Sequence, residues 1–446
     1  MVRQATRLLA AAAVLAAVSL SNLALAGDRV TSAHAFNVPS ASRDTEPVET
    51  RNDSAKTRCP SEYSCNDANG CGKVRCDGWC SPTWYGQADT LVWWMKGNNV
   101  PALVTESPNG TPRPNAGVLG RDTTEIVFGD TGIDDNSRLG LRLTVGYWLD
   151  DCQVNGLEAT WFSLGDGANT GNFYDAAAGD TSVIVARPFF NAALNAQDAQ
   201  LVAFPDIVDG SVQSQTNSEM HSLAVLLRHN LGRNCDRRVD LVGGYRFLRF
   251  RESLTIREQL TSQGFDLIPQ GTTFDVLDSF DTENDFHGGE IGLNTVWTRG
   301  CWDFDVLTKL ALGNMHHKAR IDGQTIVDTH ISPDVPVVSS GGLLALHTNI
   351  GTSSWDEFAM VPELNLNLRY HFSECLSLTA GYSLLWVTDV ARTGDQIDFA
   401  VNPNQLPPVP IAVGGGTAIT PARPAPMLGT TDMWAQGLNL GVVWAY

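Results

Sequence analysis

Apolar and polar residues alternate with period two in run after run along this chain. In RLGLRLTVGYWL (138–149), Leu139, Leu141, Leu143, Val145, Tyr147 and Leu149 share one face. Arg138, Gly140, Arg142, Thr144, Gly146 and Trp148 share the other. WDFDVLTKLALG (302–313) sets Trp302, Phe304, Val306, Thr308, Leu310 and Leu312 against Asp303, Asp305, Leu307, Lys309, Ala311 and Gly313. ELNLNLRY (363–370) and the terminal LNLGVVWAY (438–446) repeat the pattern. Period two marks strands whose two faces meet different surroundings.

Ten such runs are expected as strands, at about 85–96, 138–149, 155–164, 219–231, 238–250, 286–297, 302–313, 360–370, 376–388 and 433–446. Most are roughly 10 to 13 residues long, the length of a tilted strand that crosses a bilayer. Their connections alternate. Four are tight (150–154, 232–237, 298–301, 371–375) and five are long (97–137, 165–218, 251–285, 314–359, 389–432). Short turns at one rim and long loops at the other predict an all-β, transmembrane, antiparallel up-and-down barrel of about ten strands, with fourteen as the upper bound. Short turns would be periplasmic and long loops extracellular. An even count returns the C-terminus to the side of the N-terminus, so both are expected in the periplasm. A soluble exported β-sandwich is the rival, since it also alternates. Its strands are shorter, however, and its loops are not sorted by parity. Aromatic residues near run ends (Trp93, Trp94, Tyr147, Trp148, Trp161, Trp297, Trp302, Trp386, Trp444, Tyr446) suit interfacial girdles. A closed barrel also accounts for a chain that stops inside a strand. Its last strand must pair with its first, because lipid tolerates no open edge.

Residues 1–26 read as a secretory signal peptide. Arg3 and Arg7 precede the apolar stretch 8–18 and an Ala24-Leu25-Ala26 cleavage site. Residues 27–58 read as a flexible linker, 59–80 as a cysteine-rich periplasmic segment, and 85–446 as the barrel. No later stretch is a transmembrane helix candidate. The formal charge of −19 argues against nucleic acid as a partner. By these boundaries nearly all of the net negative charge lies in the five long connections. These could attract cationic solutes or bind divalent cations, or simply form a solvated surface. The partners implied are outer-membrane lipid and the barrel assembly machinery.

The stretches DTLVWWMKG (89–97), LGLRLTVGYWL (139–149), ARPFFN (186–191), VDLVGGYRFLRFRESLTI (239–256), SFDTENDFHGGEIGL (279–293), AMVPELNLNLRY (359–370) and AGYSLLWVTDVARTGDQID (380–398) together resemble a beta-barrel porin family, the one numbered seven in its naming series. The resemblance spans about 85–446. It implies an outer-membrane barrel and brings no catalytic residues. Fold alone does not imply transport.

The polar strand faces carry seven acids (Asp89, Glu158, Asp240, Glu290, Asp303, Asp305, Glu363) and six bases (Arg138, Arg142, Arg228, Arg246, Lys309, Arg369). This near balance in a ten-strand barrel favours a narrow or plugged lumen held by ion pairs. A constriction lined by Arg138, Arg142 and Arg246 is the functional alternative. ARPFFN is expected either to fold against the lumen or to pack against neighbouring loops. His316 and His317 are expected in a loop.

The nine cysteines are Cys59, Cys65, Cys71, Cys76 and Cys80, then Cys152, Cys235, Cys301 and Cys375, one in each short turn. That puts all nine in one oxidising layer, so disulfides are expected. Zinc is the rival for the first five, but their spacing lacks C-x-x-C pairs. Two disulfide patterns remain open: bonds within 59–80, or staples from 59–80 to successive turns, with an odd thiol left to join another envelope protein. No metal or cofactor and no enzyme chemistry is expected: there is no G-x-S-x-G and no placed Ser/His/Asp set. The function expected is porin-like passive diffusion of small solutes. The alternative is a structural envelope barrel with a filled lumen, cross-linked by disulfides.

Overall fold

A computed structural model describes residues 83–165, 169–175 (backbone only), 183–234, 236–264, 268–330, 335–373, 375–407 and 420–445. The expected signal peptide, linker and cysteine-rich segment, together with Cys235 and Tyr446, lie outside the described residues.

In chain order the principal strands are β1 (Trp84–Met95), β2 (Val104–Pro108), β3 (Glu125–Phe128), β4 (Arg138–Trp148), β5 (Asn155–Leu164), β6 (Val183–Asn191), β7 (Ala196–Ala203) and β8 (Val208–Arg233). β9 (Arg237–Ser262), β10 (Thr273–Arg299), β11 (Trp302–Asp328), β12 (Gly351–His371), β13 (Leu376–Val390) and β14 (Thr431–Ala445) follow. Ten of them, β1, β4, β5 and β8 to β14, form an antiparallel ring. Each pairs with the next, and β14 closes on β1 with Tyr85 opposite Ala445 and Met95 opposite Ala435. The terminal strand thus ends on the ladder that closes the barrel. The ten sequence runs each fall on one of these strands.

Outward residues of the ring make an apolar belt. Leu139, Leu141, Leu143 and Val145 on β4, Leu223, Val225 and Leu227 on β8, and Leu438, Leu440 and Val442 on β14 are all exposed. Such a surface belongs in hydrocarbon rather than water. Trp84 against Tyr147, and Trp302 against Tyr370, pair at the short-turn edge of the belt. Trp93 and Trp148, counted above among the girdle aromatics, instead face inward and are buried. Their parity puts them on the faces of Leu91 and Arg142.

Several strands run far beyond the belt, which corrects the long connections. Residues 208–218, 251–262, 273–285, 314–328 and 351–359 are strand, not loop. The period continues there, but the outward side becomes charged and meets water. Arg249 lies opposite Asp285, Arg251 opposite Glu283, and Arg257 opposite Asp275, and each of these pairs is ion-paired. Direct cross-strand charge pairs of this kind hold register. The inward side mixes apolar with buried polar residues and packs on a second sheet, ordered β7–β6–β2–β3. Val104, Val185, Phe189, Val202, Leu254, Ile256, Leu260, Phe280 and Ile321 share the resulting core with Leu343–Leu346. The ring is thus crowned at its long-loop end by a cap with its own core. ARPFFN is β6 within that cap, and Phe189 packs there rather than in the lumen.

Candidate functional site

The barrel interior is layered. At the short-turn end is a chamber of about 1090 Å³. Its rim includes Trp148, Cys152, Gln153 and Arg238, and its inner end includes Arg142, Lys309, Glu363 and Asn365. The near-balanced charges read from the sequence meet here. Arg246 Nη1 is 2.9 Å from Glu290 Oε1, and Arg246 also pairs with Glu363. Lys309 Nζ lies 3.5 Å from Glu290 and 3.2 Å from Glu363. Tyr85 Oη donates to Glu158 at 2.5 Å, and Arg228 sits 3.5 Å from Glu158. Asp303 meets His371 Nε2 at 2.7 Å. Asp305 and Arg369 line the chamber wall, Arg369 directly across the β11–β12 ladder from Asp303. Ionised groups survive such burial because each faces an opposite charge or a hydrogen-bond partner.

Beyond the chamber is an apolar septum. Leu91, Trp93 and Met95 (β1), Phe162 and Leu164 (β5), Met220 (β8), Leu248 and Phe250 (β9), Phe286 (β10), Ala311 and Met315 (β11), Ala359 and Val361 (β12), Leu385, Val387 and Val390 (β13), and Met433 and Ala435 (β14) form one buried cluster. Every ring strand except β4 contributes. The largest members are fully buried, Trp93 at 1 % exposure and Phe250 and Phe286 at 0 %.

Two arginines close the septum from either side. Arg142 lies over the Trp93 ring at 5.3 Å and the Phe162 ring at 6.0 Å, donating to Asn365 and Ser383. Asn365, Ser383 and Asn439 continue this hydrogen-bond chain to Trp93, whose Nε1 donates to Asn439 at 2.8 Å. On the long-loop side Arg392 lies 5.5 Å over Phe250 and makes a two-pronged bond to Glu252, at 2.7 and 2.6 Å. Arg392 belongs to an in-folded segment, 391–398. Ala391 exchanges hydrogen bonds with the Asn284 side chain at 2.8 and 2.9 Å, and Asn98 holds Thr393 and Gly394. Burial raises the Asp395 carboxyl above its ordinary value, against the pull of Arg392.

The candidate constriction is not one cluster. Arg142 lines the chamber's inner end and Arg246 pairs with Glu363 there, while Arg138 lies beside the septum on its long-loop side. There it pairs with Asp134 at 2.5 Å and donates to the Ser218 carbonyl. His317, expected in a loop, is on β11 and fully buried, its Nδ1 2.8 Å from Asn284 Oδ1, whereas His316 is exposed beside Asp356.

A buried charge group in the cap was not anticipated. Arg187 of ARPFFN pairs with Glu258 at 2.5 Å and Asp278 at 2.9 Å. Asp278 Oδ1 also accepts from the backbone N–H of Leu343, Leu344 and Ala345. Burial pulls the Arg187 guanidinium down, and the two carboxylates more than offset it, so it is held above its ordinary value. The available signal was an acid at an inward place of a continuing alternation: Leu254, Ile256, Glu258, Leu260.

Cys152, Cys301 and Cys375, in three of the short turns, are disulfide-bonded. Among the described residues no group of three or more His, Cys, Asp and Glu side chains is placed to hold a metal ion.

The family model described as "Putative beta barrel porin-7" matches residues 85–446. No curated protein matches the chain. Among solved structures, the outer membrane protease OmpT from Escherichia coli is similar at 9 % identity over 81 % of this chain and 96 % of its own, with a TM-score of 0.38. An anion-selective porin from Comamonas acidovorans aligns at 10 % identity over 82 % and 99 %, with a TM-score of 0.18. The P. putida toluene transporter TodX aligns at 8 % identity over 82 % and 90 %, with a TM-score of 0.15.

Proposed function

The chain belongs to the "Putative beta barrel porin-7" family of outer-membrane barrels, and on that premise we propose that it is a closed, structural barrel rather than a diffusion pore. Its role is to hold a rigid β-rich cap at the outer surface, with the short turns and both chain termini facing the periplasm.

The septum carries this reading. A porin's water path needs a polar lumen, and here nine of ten ring strands send apolar side chains into one buried layer. The chamber beneath it is lined at its outer end by residues of the short turns, Cys152, Gln153 and Asn234. The cap adds support: a surface domain with its own core and a buried charge triad is costly to order and serves display or packing between envelope components. The odd cysteine count leaves one thiol for a bond to another envelope protein. The protein is read as non-enzymatic. Outer-membrane lipid around the belt and the barrel assembly machinery remain the proposed partners.

The test is solute efflux from vesicles that contain the purified, folded protein. Retention of small sugars and ions supports the closed barrel. Efflux that scales with inserted protein would return the reading to passive diffusion.

A further inference from the structure

In the chamber Arg228, Lys309 and Asp303 each hold a charged partner. Asp305 on β11 does not. It is only 9 % exposed, and it faces Arg369 and Arg228 without an ion pair to either. Arg228 is committed instead to Glu158 and Asp240. Among the described residues, Asp305 Oδ1 has no hydrogen-bond partner. Two neighbours on the same wall share this state. Asn294 Oδ1 on β10 and Arg369 Nε on β12 are buried atoms that lack a hydrogen-bond partner among the described residues. Leaving buried polar atoms unpaired is costly, most of all on charged groups.

Register places the three. Asp305 lies opposite Val296 on β10 and opposite Asn367 on β12. Asn294 is two residues from Val296 toward the septum, and Arg369 is two residues from Asn367 toward the short turns. Steps of two keep all three on the inner face, and all three line the chamber. They form an oblique row across adjacent strands: amide oxygen, carboxylate, guanidinium. Diagonal neighbours on one face of a sheet stand about 7–8 Å apart. An α-amino acid spans such a step. Charge-assisted hydrogen bonds of about 2.8 Å at either end leave room for its short N–Cα–C link. The donors of a primary ammonium suit Asp305 and Asn294, and a carboxylate suits the guanidinium fork of Arg369. A lone cation or a lone anion answers only one end of the row. A neutral polyol leaves both charges uncompensated.

We propose that the chamber binds a small zwitterion, a free α-amino acid, with its ammonium on Asp305 and Asn294 and its carboxylate on Arg369. The cavity of about 1090 Å³ is far larger than such a molecule, so the wall reads the two charges and not the side chain. The ligand enters from the short-turn end, and its carboxylate points back toward that end. The inference goes beyond the closed-barrel reading and does not rest on it, since the row stands below the septum whether or not the septum conducts.

The test is equilibrium dialysis of the folded, full-length protein in detergent micelles against radiolabelled L-alanine. Unlabelled L-alanine, L-alaninamide, N-acetyl-L-alanine and glucose serve as competitors. The proposal expects saturable binding at one site per barrel. Alaninamide, which lacks the carboxylate, N-acetylalanine, which lacks the ammonium, and glucose should each compete at least about tenfold less well than alanine. Asp305→Asn and Arg369→Gln should each weaken binding at least about tenfold in protein of unchanged heat-dependent gel mobility. The competitor series needs only the parent protein and so stands where a variant fails to fold. No saturable binding to the parent would overturn the proposal. So would competition by glucose or either singly charged analogue equal to that of alanine, or full binding in both folded variants.

Discussion

Arg246 on β9 reaches Glu363 on β12, three strands away around the ring, while it also pairs with Glu290 on the adjacent β10. The contact crosses the lumen and so ties two walls of the barrel directly. All three side chains are buried, and Lys309 completes the group. Losing the guanidinium would leave two buried carboxylates facing one ammonium. Arg246→Leu is expected to cost about 3–5 kcal/mol, read as a lower urea midpoint for barrel unfolding. Adding Glu290→Gln and Glu363→Gln should recover part of the loss. A midpoint that matches the parent in Arg246→Leu would refute the assignment.

The same reasoning in the cap gives a different readout. Arg187 ties β6 of the second sheet to β9 and β10 through Glu258 and Asp278. Arg187→Met should loosen the cap by about 3–5 kcal/mol and leave the ring closed. Limited proteolysis should then cut within 183–203 and 337–350, while the heat-dependent gel mobility of the barrel stays unchanged. Simultaneous loss of both would mean that cap and ring are one cooperative unit.

Gly394 has almost no space for a side chain, since a Cβ there would stand 1.9 Å from the Asn99 carbonyl oxygen. Gly394→Ala should displace the 391–398 segment at a cost of about 1–3 kcal/mol. Amides of 391–398 should then exchange with deuterium faster than in the parent protein. Unchanged exchange would show that the segment is not held where the Asn98 and Asn284 contacts place it.

The partly exposed row Glu219–Arg251–Glu283–Lys318 is a contrasting case. These residues stand side by side across β8 to β11, with Arg251 paired to Glu219 at 3.2 Å and to Glu283 at 2.7 Å. Arg251 is 43 % exposed. Solvent and salt screen such pairs, so Arg251→Ala should cost less than about 1 kcal/mol, and less still at high salt. A loss as large as that of Arg246→Leu would overturn this ranking of the two charge groups.

The ring was legible because the membrane runs alternate an apolar outer face with a second face that is polar or small at many of its places. Leu139 to Leu149 against Arg138 to Trp148 shows both at once. The pairing of interior charges was also legible, because an acid or base at an inward place has few options but a partner. The strand lengths were not. Bilayer thickness sets where the apolar outer face ends, but not where the strand ends. In RFLRFRESLTIREQL (246–260) the inner residues Leu248, Phe250, Leu254, Ile256 and Leu260 keep the period after the outer ones turn charged. The septum was hidden for a related reason. Met220, Phe286, Met315, Leu385 and Met433 lie on separate strands, and only ring closure brings them into one layer. Trp93 read as a girdle residue because an aromatic near a strand end fits either face. Its parity with Leu91 and Met95 was the better guide.

Single-channel recording on the folded protein in a planar bilayer tests the central claim most directly, with the parent chain compared to a Trp93→Ala/Phe250→Ala variant. The closed-barrel account predicts silence from the parent and brief, irregular openings from the variant, whose septum has lost two of its largest members. Stable, reproducible conductance steps from the parent protein would contradict it.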